Sequence, residues 1–113
     1  MPRPYELYLN DIIEAIGRIE EYTASFSSTE FAENKLVLDA VVRNLEIIGE
    51  AVKMLPNEIK KKHPEVEWRK IAGLRDIIAH EYFGINAAIV WDIVKNKIPE
   101  FKASIIKIRK ELR

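Results

Sequence analysis

The chain has 113 residues and a mass of 13.1 kDa, enough for one hydrophobic core and too little for two. Hydrophobic residues at 48% and charged residues at 32% are globular proportions, and the absence of cysteine excludes a disulfide scaffold, a thiol nucleophile and any thiolate zinc site. The 18 basic and 18 acidic residues cancel, which argues against a general duplex-coating protein. The cancellation hides a polarity, because residues 1–50 carry a balance of −6 and residues 51–113 a balance of +6. A mere dipole across a soluble bundle, a local basic surface or an acidic partner on the second half all fit that distribution. No run approaches the roughly 20 apolar residues of a membrane span, and the start Met-Pro-Arg-Pro lacks a signal-peptide core. A soluble, cytoplasmic protein is expected, with no membrane partner.

In chain order, Leu9, Ile12, Ile13, Ile16 and Ile19 follow the three-and-four spacing of one helix face, predicting a helix from Pro4 to about Tyr22. The polar stretch Ser25–Thr29 interrupts it, and Ser27 with Glu30 forms a capping-box signature that opens a second helix. Phe31, Leu38, Leu45 and Val52 recur every seven residues with Val41, Ile48 and Leu55 between them, so this second helix is expected to be the longest. A flanking stripe of Val37, Ala40, Ile47, Ala51 and Met54 widens its apolar face beyond one neighbour, as in a central or subunit-facing helix. Gly17 and Gly49 each cost helix stability, so close helix contact is expected at both.

A short segment, Asn57 to Lys62, follows Pro56 and ends at His63-Pro64. A further helix is predicted from about Trp68 to His80, with Ile71, Leu74 and Ile78 inward. Asn86 is a candidate N-cap for a helix lined by Val90, Trp91, Val94 and Ile98, and Pro99 restarts a terminal helix with Phe101, Ile105, Ile108 and Leu112 inward. The expected architecture is all-α: one up-and-down bundle of about five helices over residues 1–113, dimerising through helix faces.

Candidate chemistry is confined by the two histidines. His63 lies in the charge run Lys60-Lys61-Lys62, which predicts a solvated helix end. No Glu-x-x-His pair, no His-Glu-x-x-His and no Gly-rich phosphate loop occurs, so neither a metal site nor a cofactor is expected. His80 belongs to Arg75-Asp76-Ile77-Ile78-Ala79-His80-Glu81-Tyr82. On an ideal helix Trp68, Arg75 and Tyr82 share a stripe, and Asp76 at i, i+4 can orient the His80 imidazole. Spacing alone fits a surface Asp–His pair as well as an active site. Five residues also set Arg75 and His80 about 140° apart, so they converge only through a helix break near His80 or a second subunit.

The octet fits the R-x-x-x-x-H-x-Y motif and resembles the HEPN superfamily, specifically its HepT-like toxins. Two further segments carry the resemblance over nearly the whole chain: Arg43-Asn44-Leu45-Glu46-Ile47-Ile48-Gly49-Glu50-Ala51-Val52, and Trp68 with Ile71, Gly73, Leu74 and Arg75. The resemblance implies metal-independent cleavage of RNA, with the 2′-OH as nucleophile, His80 as acid/base and Arg75 as phosphate clamp. It implies a homodimer that supplies two histidines to one cleft. It also implies a minimal nucleotidyltransferase antitoxin (MntA-type) as partner, which silences the toxin by transferring AMP to Tyr82. Asp76 sets a negative charge beside the phosphate site, which keeps open the alternative of a catalytically inactive binding subunit for the nucleotidyltransferase.

Overall fold

The computed structural model describes residues 3–80 and 86–112, with the side chains of residues 77, 79 and 80 outside that description. Its elements are α1 (Tyr5–Thr23), α2 (Ser28–Glu33), α3 (Lys35–Lys53), α4 (Asn57–Lys62), α5 (Trp68–Ala72), α6 (Leu74–His80), α7 (Ala87–Asp92), a π-helical stretch (Ile93–Lys97) and α8 (Ile98–Glu111). No strand occurs among the described residues, so the class is all-α as expected.

α3 is the central helix. Leu38, Val41, Leu45, Ile48 and Val52 are buried along it against Leu9, Ile12, Ile16 and Ile19 of α1. The two run antiparallel: Arg18 Nε donates to Asn44 Oδ1 at 2.7 Å, while Tyr8 and Asp11 share a groove with Glu50 and Met54. α8 closes the third side of this core with Phe101, Ile105 and Ile108, and Lys102 ties it to Glu20 of α1 at 3.0 Å. Phe31 and Trp91 stack at 5.1 Å between ring centroids, joining α2 to α7.

Three predicted helices are divided, each by a residue with a reason to interrupt. The second helix splits at Asn34, which takes an extended backbone and caps α3 by accepting from Val37 N–H at 3.0 Å. Its capping box is complete in α2, where the Ser27 backbone N–H holds the Glu30 carboxyl below its ordinary range. The Trp68–His80 helix breaks at Gly73, whose N–H turns back to the Arg69 carbonyl at 3.0 Å. Asn86 caps α7 as expected, but α7 ends at Asp92 rather than at Ile98. Pro99 has no N–H to offer the carbonyl four residues back, and the turn before it widens so that Ile98 N–H donates to Ile93 O.

Two expectations about single residues need correction. Gly17 is exposed, and a methyl group there would meet nothing within 4 Å, so no helix approaches it; at Gly49 the same group would sit 3.2 Å from Ile71 O and 3.4 Å from Ala72 O. His63 is not solvated but 7% exposed, with Glu111 of α8 at 3.0 Å from Nε2 and Glu65 at 3.4 Å from Nδ1. Its carbonyl accepts from the Trp68 indole N–H at 3.0 Å. The charge run ends on a structural tie, because the Lys62 to Pro64 turn directs the ring toward α8.

Gly17→Ala should raise stability by about 1 kcal/mol, since it adds helix propensity without a clash. Gly49→Ala should lower it, and urea unfolding of both variants checks the opposite signs. His63→Ala leaves a cavity and an unpaired carboxylate at the α4–α8 junction. A loss of roughly 1–3 kcal/mol is expected, read as a lower urea midpoint; an unchanged midpoint contradicts a structural role for His63.

Candidate active site

The helix that carries the motif is positioned from α3. With no Cβ at Gly49, the last carbonyls of α5 press against the α3 backbone, and Gly73 then turns the chain into α6. Leu74 and Ile78 are buried beneath α6, which leaves Arg75 and Asp76 exposed on its first turn. A carboxylate there is favoured by the positive end of the helix.

Arg75 lines an open groove of about 390 Å³ between α1, α3 and α6, shared with Tyr8, Asp11, Arg43, Ile47, Glu50 and Met54. Arg43 is 72% exposed in its side chain, with Glu46 at 4.0 Å. At the α1 edge, Arg3 makes two hydrogen bonds to Asp11, at 2.6 and 3.1 Å, and lies 4.6 Å over the Tyr8 ring. The bond from Arg3 holds the Asp11 carboxyl below the usual carboxylate range, so this acid is ionised and engaged. The groove therefore carries three arginines, one tyrosine and carboxylates that are largely paired. Tyr8 has no short-range signal in the sequence; folding across more than 60 positions brings it into the groove with Arg75, and Arg3 follows through its contacts with Asp11 and Tyr8.

His80 ends α6, and its side chain and the whole of Tyr82 lie outside the described residues. The backbone is helical without interruption from Arg75 to His80. Over that stretch the break that would bring Arg75 and His80 together is absent, and the two positions remain fanned by about 140°. Asp76 keeps its i, i+4 register to His80 on the same helix. Trp68 and Arg75 do not share a stripe as an ideal helix draws it, and Tyr82 lies outside the described residues. The break at Gly73 sends Trp68 into the core, edge-on to Phe101 at 6.2 Å, while Arg75 stays outside. Among the described residues no cluster of histidine and carboxylate side chains has the makings of a metal site. No described helix is long and apolar enough to cross a membrane.

Comparison with known proteins gives a consistent family. The description "Ribonuclease HepT-like" matches residues 12–108. A Thermococcus cleftensis protein named "Probable ribonuclease HepT" is 46% identical over 97% of this chain and 100% of its own length. A Caldanaerobacter subterraneus protein named as a candidate RNase is 42% identical over 95% of this chain and 93% of its own. A Methanocaldococcus jannaschii protein, named as a gamma-glutamylcyclotransferase and candidate RNase, is 43% identical over 99% of this chain, which spans only 50% of that longer relative. No solved structure gives a significant match. With nearly its whole length matched, and with Arg75 and His80 of the R-x-x-x-x-H-x-Y motif on α6, this chain belongs to the HepT-like ribonuclease family.

Proposed function

We propose that this chain is the ribonuclease toxin of a toxin–antitoxin pair, cleaving RNA without a metal ion and working as a homodimer in the cytoplasm. The observation that carries the reading is Arg75: a guanidinium exposed on a buried-backed helix, lining an open groove, five residues before His80 on an unbroken turn. RNA supplies its own nucleophile. A base removes the 2′-OH proton, the oxygen attacks phosphorus, and an acid protonates the departing 5′-oxygen to leave a 2′,3′-cyclic phosphate. Histidine has an ordinary pKa of about 6.5 and serves in either role near neutrality. Arg75 faces the phosphate, where its planar fork matches two non-bridging oxygens and stabilises the added negative charge.

One histidine per chain supplies one of the two proton carriers. A two-fold dimer supplies the other, and it resolves the 140° fan by setting Arg75 of one copy near His80 of the next. The outer face of α3 supports that pairing. Leu36 is 81% exposed, Met54 57% exposed and Ile47 half-buried, interleaved with Arg43, Glu46 and Glu50. A patch with alternating signs can be self-complementary across a two-fold axis.

His80→Ala should abolish cleavage with an unchanged melting curve. Arg75→Ala should slow it by about 10² to 10³, and EDTA should change nothing. Cleavage by the His80 variant, or its loss on chelation, overturns the mechanism. A chain that binds its partner yet never cleaves RNA would favour the inactive-subunit reading, in which Asp76 weakens the phosphate site.

Control follows from the same motif. Tyr82 is the proposed acceptor of AMP from an MntA-type nucleotidyltransferase, and the adduct would add bulk and negative charge two residues beyond His80. The partner must supply the base and the metal that activates ATP, since a phenol has a pKa near 10. Incubation with partner and ATP should add one AMP to the wild type and none to Tyr82→Phe, as read by intact mass. An equal mass gain in both locates the modification elsewhere.

A further inference from the structure

Part of the positive balance of residues 51–113 comes from five lysines near two helix ends. Lys60, Lys61 and Lys62 form the last turn of α4, and Lys107 and Lys110 lie on the outward side of the last turns of α8. The His63–Glu111 contact at 3.0 Å holds these two helix ends together, within about one turn of all five lysines. Lys53, Lys70 and Lys102 have carboxylate partners in Glu50, Glu67 and Glu20, while Lys95 lies over the Trp91 ring; Lys35 and Lys97 stand apart on other elements without an ion pair among the described residues. Among the described residues the five lysines of the cluster have no carboxylate within ion-pair distance; of the carboxylates nearby, Glu65 and Glu111 are directed at the His63 ring and Glu58 lies in the first turn of α4. Partial negative charge at a helix C-terminus favours a cation or two. Five lysines across two helix ends exceed that need and leave a net positive surface.

We propose that this lysine cluster is a second RNA-binding surface, outside the cleavage site, that holds the phosphate backbone of a long single strand. The proposal rests on the ribonuclease reading for its ligand. The cluster adjoins α5, which leads into the motif helix: the Trp68 indole bonds the His63 carbonyl, and Gly73 then turns the chain toward Arg75, seven residues on from Trp68. A strand of a few nucleotides can cover that interval, whereas a dinucleotide fills the cleft alone. Lysines act on phosphates as flexible point charges, so the surface contributes affinity and salt dependence without choosing a sequence.

The test uses the full-length chain with Lys61, Lys62, Lys107 and Lys110 changed together to glutamine, and a companion in which all four become arginine. Binding of a fully 2′-O-methylated RNA of about 20 nucleotides, which lacks the nucleophile, is followed by fluorescence anisotropy against salt. Four lost phosphate contacts should lower the log–log salt slope by up to about 2.8 and weaken binding at least tenfold at low salt, with the arginine set restoring both. Turnover of a dinucleotide should be unchanged, and matching melting curves show that the fold is intact. An unchanged slope and affinity overturn the proposal, as does unaltered RNA binding accompanied by loss of a protein partner. Dinucleotide cleavage with an unchanged slope sinks this surface alone. A changed slope in a chain that never cleaves sinks the catalytic reading alone.

Discussion

The approach of α5 to α3 at Gly49 sets the geometry on which the rest depends. Two carbonyls crowd the place where any other residue would hold a Cβ, at 3.2 and 3.4 Å from it. Because those carbonyls belong to Ile71 and Ala72, the turn at Gly73 begins at a fixed height on α3, and α6 leaves it with Leu74 and Ile78 already directed inward. Arg75 is thereby carried to the groove between α1 and α3. The glycine costs α3 roughly 1 kcal/mol of helix propensity, and packing of a third helix at backbone distance offsets it.

Polar side chains are sparse inside, and two of them fix how the helices meet. Asn44 is buried in the α1–α3 seam, where it donates to the Ala40 carbonyl and accepts from Arg18. Unsatisfied, it would be a cost to the core; bonded on both sides, it fixes the register of α1 against α3. His63 plays a comparable part between α4 and α8, with Glu111 on one ring nitrogen and Glu65 facing the other. Register of α1 against α3 decides which of their side chains line the groove beside Arg75, so that groove is shaped by contacts remote from the motif.

Much of this was legible in the sequence, and the parts that were not share a cause. The apolar positions of α1, α3 and α8 are periodic, and Ile12, Leu45, Ile48 and Ile105 are buried as the periodicity predicts. The capping box at Ser27 and the cap at Asn86 are local chemistry and could be read directly. The splits at Asn34 and Gly73 were hidden because uninterrupted spacing looks the same whether the helix is continuous or broken and resumed. Burial of His63 was hidden because its partner lies 48 residues away, while its neighbours are lysines. At the site, the motif was plain, but the groove it faces is assembled from α1 and α3 residues that no spacing connects.

The contact of α8 with α1 has a consequence for how the molecule comes into being. Lys102 meets Glu20 across 82 positions, and Ile105 and Ile108 close a core whose other walls are made of α1 and α3. A nascent chain that has emerged only through α6 already contains Arg75 and His80, yet it lacks the wall that shields the apolar faces of α1 and α3. Loop closure over such a distance is a late event, and helices without a packed face are marginal in water. A ribosome-bound fragment ending before α8 would therefore hold the motif residues without the full scaffold that positions them.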